Sequence, residues 1–226
     1  MQSLLDLVLP RECGGCEAAG TLWCGRCEDA LRRPPVAIRP RCDPGVPCWA
    51  LGTYSGPRRT AVLALKERNR HDVAAPLGRA LAYAIEQLRM LGEIDPVELA
   101  SLALIPAPSR RRAARARGGD PVERFSRAAA STFGTEHVTV SPLLRMGRGV
   151  RDSVGLGAAQ RQENVAGKIL VSMPKNTVPY SATDASDTTV LLVDDVLTTG
   201  ATVSESICVL KHFGIRVDGV LVVAAV

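Results

Sequence analysis

Asp194 and Asp195 stand side by side directly after the apolar run 190–193, and Thr198, Thr199, Gly200 and Thr202 follow closely. A short run rich in β-branched residues reads as a buried parallel strand. Ligands of open α/β sheets bind outside the carboxyl ends of such strands. Past the acids, residues 201–213 have helical period, with Val203, Ile207 and Leu210 on one face. The loop is therefore a strand-to-helix turn, and the free N–H groups of the helix point into it. Such a turn favours an anion. Gly200 lets backbone approach a phosphate, and the three threonines can add hydroxyl donors. Carboxylates do not bind phosphate; they accept hydrogen bonds from sugar hydroxyls, directly or through Mg²⁺. Acids and an anion cradle side by side predict a ribose 5-phosphate ligand. A Walker B strand of an NTP hydrolase would need a partner G-x-x-x-x-G-K-[ST] loop. The chain has none, and its Gly167-Lys168 pair is followed by Ile169.

A second chemistry is written in cysteine. Four of the seven cysteines fall as Cys13-x₂-Cys16 and Cys24-x₂-Cys27. Each pair can present two thiolates to one tetrahedral ion, and Gly14, Gly15 and Gly25 supply the tight turns. Four thiolates favour a structural Zn²⁺, with an iron–sulfur cluster or a dithiol pair as the alternatives. Cys42 and Cys48 could replace one of the four ligands but read better as small apolar residues. Cys208, on the last helix, reads as core.

Two arginine-rich segments face the same end of the expected sheet. A strand 102–105 exits through Pro106 and Pro108, and five arginines follow between Arg110 and Arg117. Guanidinium forks match phosphate oxygens, so this is a candidate second anion subsite, or else a solvated or nucleic-acid-facing basic helix. Residues 145–164 carry glycines and Arg145, Arg148, Arg151 and Arg161, the composition of a mobile basic lid. Their GLGAAQ lacks the third glycine and the preceding strand of a dinucleotide loop. Lys66-Glu67-Arg68, at the end of the first helix of the main domain, is a third anion-facing candidate, or else a solvated helix end. His71, His137 and His212 read as surface residues.

The positioning elements follow from period. Helices are expected over 57–69, over 72–91 with Asp72 as N-cap, and over 121–133. Short strands are expected over 51–54, 102–105, 138–140, 168–172, 190–193 and 217–225, with loop or edge hairpin over 173–189. Strands alternating with helices argue a parallel α/β sheet. Residues 1–49 form a metal-bearing segment and proline-rich linker, and residues 50–226 form the main domain. A net charge of +5 fits anionic ligands or nucleic acid without deciding between them, and 4% aromatics argues against a platform stacking many bases. No apolar run reaches the ~20 residues a membrane span needs. The N-terminal Leu4, Leu5, Val8 and Leu9, interrupted by Asp6, read as a short amphipathic helix rather than a signal peptide, so a cytoplasmic location is expected.

VLLVDDVLTTGAT, residues 190–202, resembles the phosphoribosyl pyrophosphate (PRPP) motif of type I phosphoribosyltransferases. Together with the cysteine set, IPAPSRRR, LALKERNRHDVAAPLGRAL and LGAAQRQENVAG, it resembles the ComF family, which joins an N-terminal zinc finger to such a domain. The resemblance implies an α/β fold, a type I phosphoribosyltransferase-like parallel sheet flanked by helices. It implies that Asp194 and Asp195 hold the ribose hydroxyls and that Leu197, Thr198, Thr199, Gly200, Ala201 and Thr202 wrap the 5-phosphate. Ala107, Pro108, Ser109 and Arg110 would meet pyrophosphate, and Arg148 and Arg151 would act in the closing lid. Mg²⁺ would accompany PRPP, and a base or nucleotide would be the second substrate. A part in natural competence implies single-stranded DNA and a competence helicase as further candidate partners. The sequence departs from the family after RARG, where Gly119, Asp120 and Pro121 replace an aromatic, Asn and Gln. It departs again where Val150 and Ser153 replace the usual threonine and glutamine of the lid.

Overall fold

The computed structural model describes residues 11–109, 118–134, 136, 138–147, 149, 157–172 and 187–226. The expected N-terminal helix, the arginine run 110–117, His137, Arg148, the lid residues 150–156 and the loop 173–186 lie outside these residues, as does the side chain of Arg161. In chain order the elements are helix Gly25–Leu31 (α1), strands Val36–Ala37 (β1) and Cys48–Ala50 (β2), and helix Gly56–Glu67 (α2). A 3₁₀ turn His71–Val73, helix Ala74–Met90 (α3), strand Ser101–Pro106 (β3) and helix Pro121–Ala130 (α4) come next. Strands Val138–Val140 (β4) and Leu144–Met146 (β5), helix Ala158–Val165 (α5), strand Ile169–Val171 (β6), strand Thr188–Leu197 (β7), helix Ala201–His212 (α6) and strand Gly219–Ala225 (β8) complete the fold.

Six strands form one sheet in the order β1-β2-β8-β7-β3-β4, and every pairing is parallel except that of β1. The expected α/β architecture is the observed one. Strand period explains why both faces are apolar: successive side chains alternate sides. Leu102, Leu104, Leu191, Val193, Leu221 and Val223 pack with α2, α3 and α4, while Ala103, Ile105, Val190, Leu192, Val220 and Val222 pack with α6 and the antiparallel β5–β6 pair. Helices on both faces are what make such continuous apolar strands stable in water. The helical layer is tight. A Cβ on Gly78 of α3 would stand 2.6 Å from the Ala128 Cβ of α4, so only glycine permits this approach.

Several local expectations are corrected. β7 extends through the acid pair to Leu197, because Val196 and Leu197 continue pairing with β8. The strand expected over 51–54 lies instead at Cys48–Ala50, held by register with residues 220–222; Thr53 makes only an isolated bridge to Ala225. Asp72 is not a helix cap. Its carboxylate takes two hydrogen bonds from Arg70, at 2.8 and 2.7 Å, and the 3₁₀ turn leads into α3 without a side-chain cap. Residues 169–171 pair antiparallel with β5, outside the main sheet. Helices α2 and α4 stop at Glu67 and Ala130, short of the expected 69 and 133. Cys208 is exposed rather than core, since α6 turns Val203, Ile207 and Leu210 to the sheet.

Candidate functional site

The acid pair sits in the central strand, so both neighbours of β7 help to place it. Period two sends the adjacent carboxylates in different directions. Asp194 lines an open cleft of about 370 Å³ formed with Val165, Val196 and residues 197–203. Asp195, nearly buried, is met by Lys66 Nζ at 2.6 Å from the last turn of α2. The two acids remain linked, because the Asp195 N–H donates to Asp194 Oδ1 at 2.8 Å. Burial pushes the Asp194 carboxyl up to about 8, helped by the Asp195 charge beside it and opposed by Lys66. Burial would lower the Lys66 ammonium, but the Asp195 carboxylate outweighs it and holds Lys66 above its ordinary value.

Of the two readings of this helix end, the structure favours the one that brings Lys66 to the acid pair over a solvated end. One local signal bears on this. Lys66 lies one turn after the buried Val62 and next to the buried Leu65, on the edge of the apolar stripe of α2. Which carboxylate it meets has no local signature, because the two partners are far apart in the chain.

The turn after β7 is built for close approach. Gly200 caps α6 with φ +86°, a left-handed conformation that costs other residues, and α6 has no side-chain cap. Thr199 is buried, and the Ala201 N–H reaches its Oγ1 at 3.4 Å; Thr198 is exposed. The proline-rich linker braces this turn from behind. Cys42 N–H donates to the Thr199 carbonyl at 2.8 Å, and a Cβ on Gly200 would lie 2.6 Å from the Cys42 carbonyl oxygen and 2.8 Å from Pro40 Cβ. Gly200→Ala should therefore cost about 1–3 kcal/mol through φ strain alone. A melting-temperature drop of several degrees in thermal unfolding is the expected result.

One strand away, the end of β3 runs alongside. Ala107 N–H donates to the Val193 carbonyl at 2.7 Å, so Ala107 and Pro108, both buried, lie beside the start of the acid pair. Ser109 donates its N–H to Asp120 Oδ2 at 3.2 Å and its hydroxyl to the same oxygen. Asp120 also caps α4, accepting from Val122 N–H at 2.9 Å. Arg110, Arg148 and Arg151 lie outside the described residues. His71 is partly buried rather than on the surface, with Nδ1 without a partner among the described residues and Nε2 near Gly118.

The second candidate site is the cysteine cluster. The sulfurs of Cys13, Cys16, Cys24 and Cys27 all lie within 4.8 Å of one another, with Cys13–Cys27 at 3.7 Å and Cys16–Cys24 at 3.6 Å. A tetrahedral ion with Zn–S bonds of ~2.3 Å requires sulfurs about 3.8 Å apart, so the set fits. The cradle admits no extra atom: a Cβ on Gly15 would stand 2.7 Å from Cys27 Sγ. Against the cost of burial, amide hydrogen bonds from Gly15, Cys16 and Cys24 bring the Cys13 thiol down to about 6, the direction a thiolate ligand needs. Cys42 and Cys48 stand apart from this cluster and pack in the core layer under α6.

The cluster is fastened to the main fold. Leu31 of α1 joins the core above the sheet, Arg58 donates to the Ala30 carbonyl at 2.8 Å, and Arg79 forks onto Glu28 at 2.9 Å. Arg70 reaches the Glu12 carbonyl at 2.9 Å.

Comparison with known proteins agrees with this geometry. The model of the family described as uracil phosphoribosyltransferase matches residues 116–226, which include the acid pair and the threonine turn. The chain is also 23% identical over 210 residues to Competence protein F of Haemophilus influenzae, covering 90% of this chain and 86% of that protein. Similarity to a phosphoribosyltransferase family model over residues 116–226 and to Competence protein F along most of the chain thus accompanies a Cys₄ cluster able to take zinc.

Proposed function

We propose that this protein binds PRPP with Mg²⁺ in the cleft between Asp194 and Thr202 and transfers the phosphoribosyl group to or from a nitrogenous base. The observation that carries the reading is the cleft itself. It joins a carboxylate to an uncapped helix N-terminus within one turn of chain, the two chemistries a ribose 5-phosphate presents. The 5-phosphate would sit on the amides after Gly200, and the ribose hydroxyls would donate to Asp194, with Asp195 held behind it by Lys66. Mg²⁺, when bound near Asp194, would supply positive charge that offsets the diphosphate. A base nitrogen then forms its bond to the anomeric carbon as the C–O bond to pyrophosphate breaks. Pyrophosphate leaves with the bonding electron pair, and the base gives up its proton. Zn²⁺ is the proposed ion of the cysteine cluster. The name of the Haemophilus relative supports a setting in competence, with single-stranded DNA as a candidate partner and the cytoplasm as the location. No described helix is long and apolar enough to cross a membrane.

Titration of PRPP and Mg²⁺ by calorimetry, followed by a pyrophosphate-release screen over bases, tests the reading. Its pH dependence is specific. Asp194 holds its proton up to about pH 8 in the folded protein, and ligand binding needs the ionised form. The expected outcome is PRPP affinity that climbs between pH 6 and pH 8 and levels above it, with a proton released on binding at pH 7. The same raised value makes the stability contribution of Asp194 complete below the ordinary carboxylate range and lost as pH rises through about 8. Flat affinity across this range would remove Asp194 from the binding step.

A further inference from the structure

Ser109 is the last described residue before the arginine run, at the carboxyl end of the strand next to β7. An anion arriving there would look for its backbone N–H and its hydroxyl. Both are already given to one oxygen, Asp120 Oδ2, the N–H at 3.2 Å. The other oxygen, Oδ1, holds the first turn of α4 through Val122 N–H at 2.9 Å and Glu123 N–H at 3.4 Å. A single carboxylate therefore spans a helix cap and a pair of donors at the strand end. A carboxylate oxygen and a phosphate oxygen accept in the same way, so they compete for one donor pair. A diphosphate placed at Ser109 must displace Asp120 or settle against a like charge. A ligand with only the 5-phosphate meets no such rival, because its anionic end lies at the Gly200 turn.

We propose that Asp120 is a specificity-determining residue that occupies the Ser109 donors and biases the cleft toward ribose 5-phosphate monoesters over the 1-diphosphate PRPP. The inference rests on the ribose-phosphate reading above. The bias is local to the diphosphate end and leaves the 5-phosphate end untouched. The protein then takes PRPP only at the expense of the Ser109–Asp120 contact, and nucleoside 5′-monophosphates or ribose 5-phosphate compete well with it.

The test is calorimetric titration of the full chain and of Asp120→Asn and Asp120→Ser, with PRPP and with ribose 5-phosphate, each with Mg²⁺. Asn and Ser are both good N-caps, so α4 is retained, and circular dichroism with thermal unfolding checks this. Both variants are expected to bind PRPP about tenfold more tightly, the equivalent of one charge-assisted hydrogen bond regained. Ribose 5-phosphate affinity is expected to change less than about twofold, since its contacts lie elsewhere. Unchanged or weaker PRPP binding in both variants, with ribose 5-phosphate still bound, overturns the role of Asp120 alone. Failure of all three proteins to bind either ligand overturns the ribose-phosphate reading and this inference with it.

Discussion

Replacing Asp194 and Asp195 together by asparagine abolishes PRPP binding and leaves the fold standing. Asp194 would accept two charge-assisted hydrogen bonds from the ribose hydroxyls, each worth about 1.5–3 kcal/mol, and Asp195 holds Lys66 beside it, so losing both acids removes roughly 10² to 10⁴ in affinity. The fold survives for two reasons. Asparagine keeps the size and shape of each side chain, and Lys66, which loses its partner, is partly exposed and can turn to water. The flanking core residues Leu191, Leu192 and Val193 are untouched. Calorimetry on the double variant, with circular dichroism as the control, reads the outcome. Undiminished binding by a folded double variant would refute the assignment. The single variants add detail. Asp194→Asn should flatten the pH dependence of binding, because the group that holds the proton is gone.

Removing the metal from the cysteine cluster is expected to destabilise the whole protein, not only its first residues. Cys13 and Cys27 are buried, Leu31 belongs to the main core, and Gly14 packs so closely on Val73 that a Cβ would lie 2.4 Å from Val73 Cγ2. Loosening the cluster therefore strips contacts from α2, the 3₁₀ turn and α3. Structural zinc contributes several kcal/mol or more to folding. In a chain of this size each kcal/mol moves Tm by about 2–4 °C. Cys13→Ser, or a strong chelator added to the wild type, should lower Tm by roughly 10 °C or more. Elemental analysis should give close to one zinc per wild-type chain. A chelator that leaves Tm unmoved, or a protein purified with no bound metal under non-chelating conditions, would show that the thiols are not a structural metal site.

Much of the fold was legible in local pattern. The runs 102–105, 190–193 and 220–223 are apolar at every position, which only a strand covered on both faces can bury, and the parallel sheet follows. The apolar stripe of α3 and the paired C-x-x-C spacing are equally local, since each is set within a few turns of chain. What escaped local reading shares one cause. Cys48–Ala50 is a strand because residues 220–222 offer it a ladder. Asp72 fails to cap α3 because Arg70 claims its carboxylate. Cys208 is exposed because α6 meets the sheet with its opposite face.

The amino-acid sequence alone determined the menu of chemistry: two adjacent acids ahead of an anion-binding turn, four thiolates spaced for one ion, and the alternating elements that carry them. Only the tertiary structure decided the pairings: Asp194 toward the cleft, Asp195 against Lys66, Asp120 on the Ser109 donors, and the linker at Cys42 behind Gly200. Period and spacing act along a few residues of chain. Coulomb attraction and hydrogen bonding act over a few ångströms of space, and only the packed sheet brings distant residues that close.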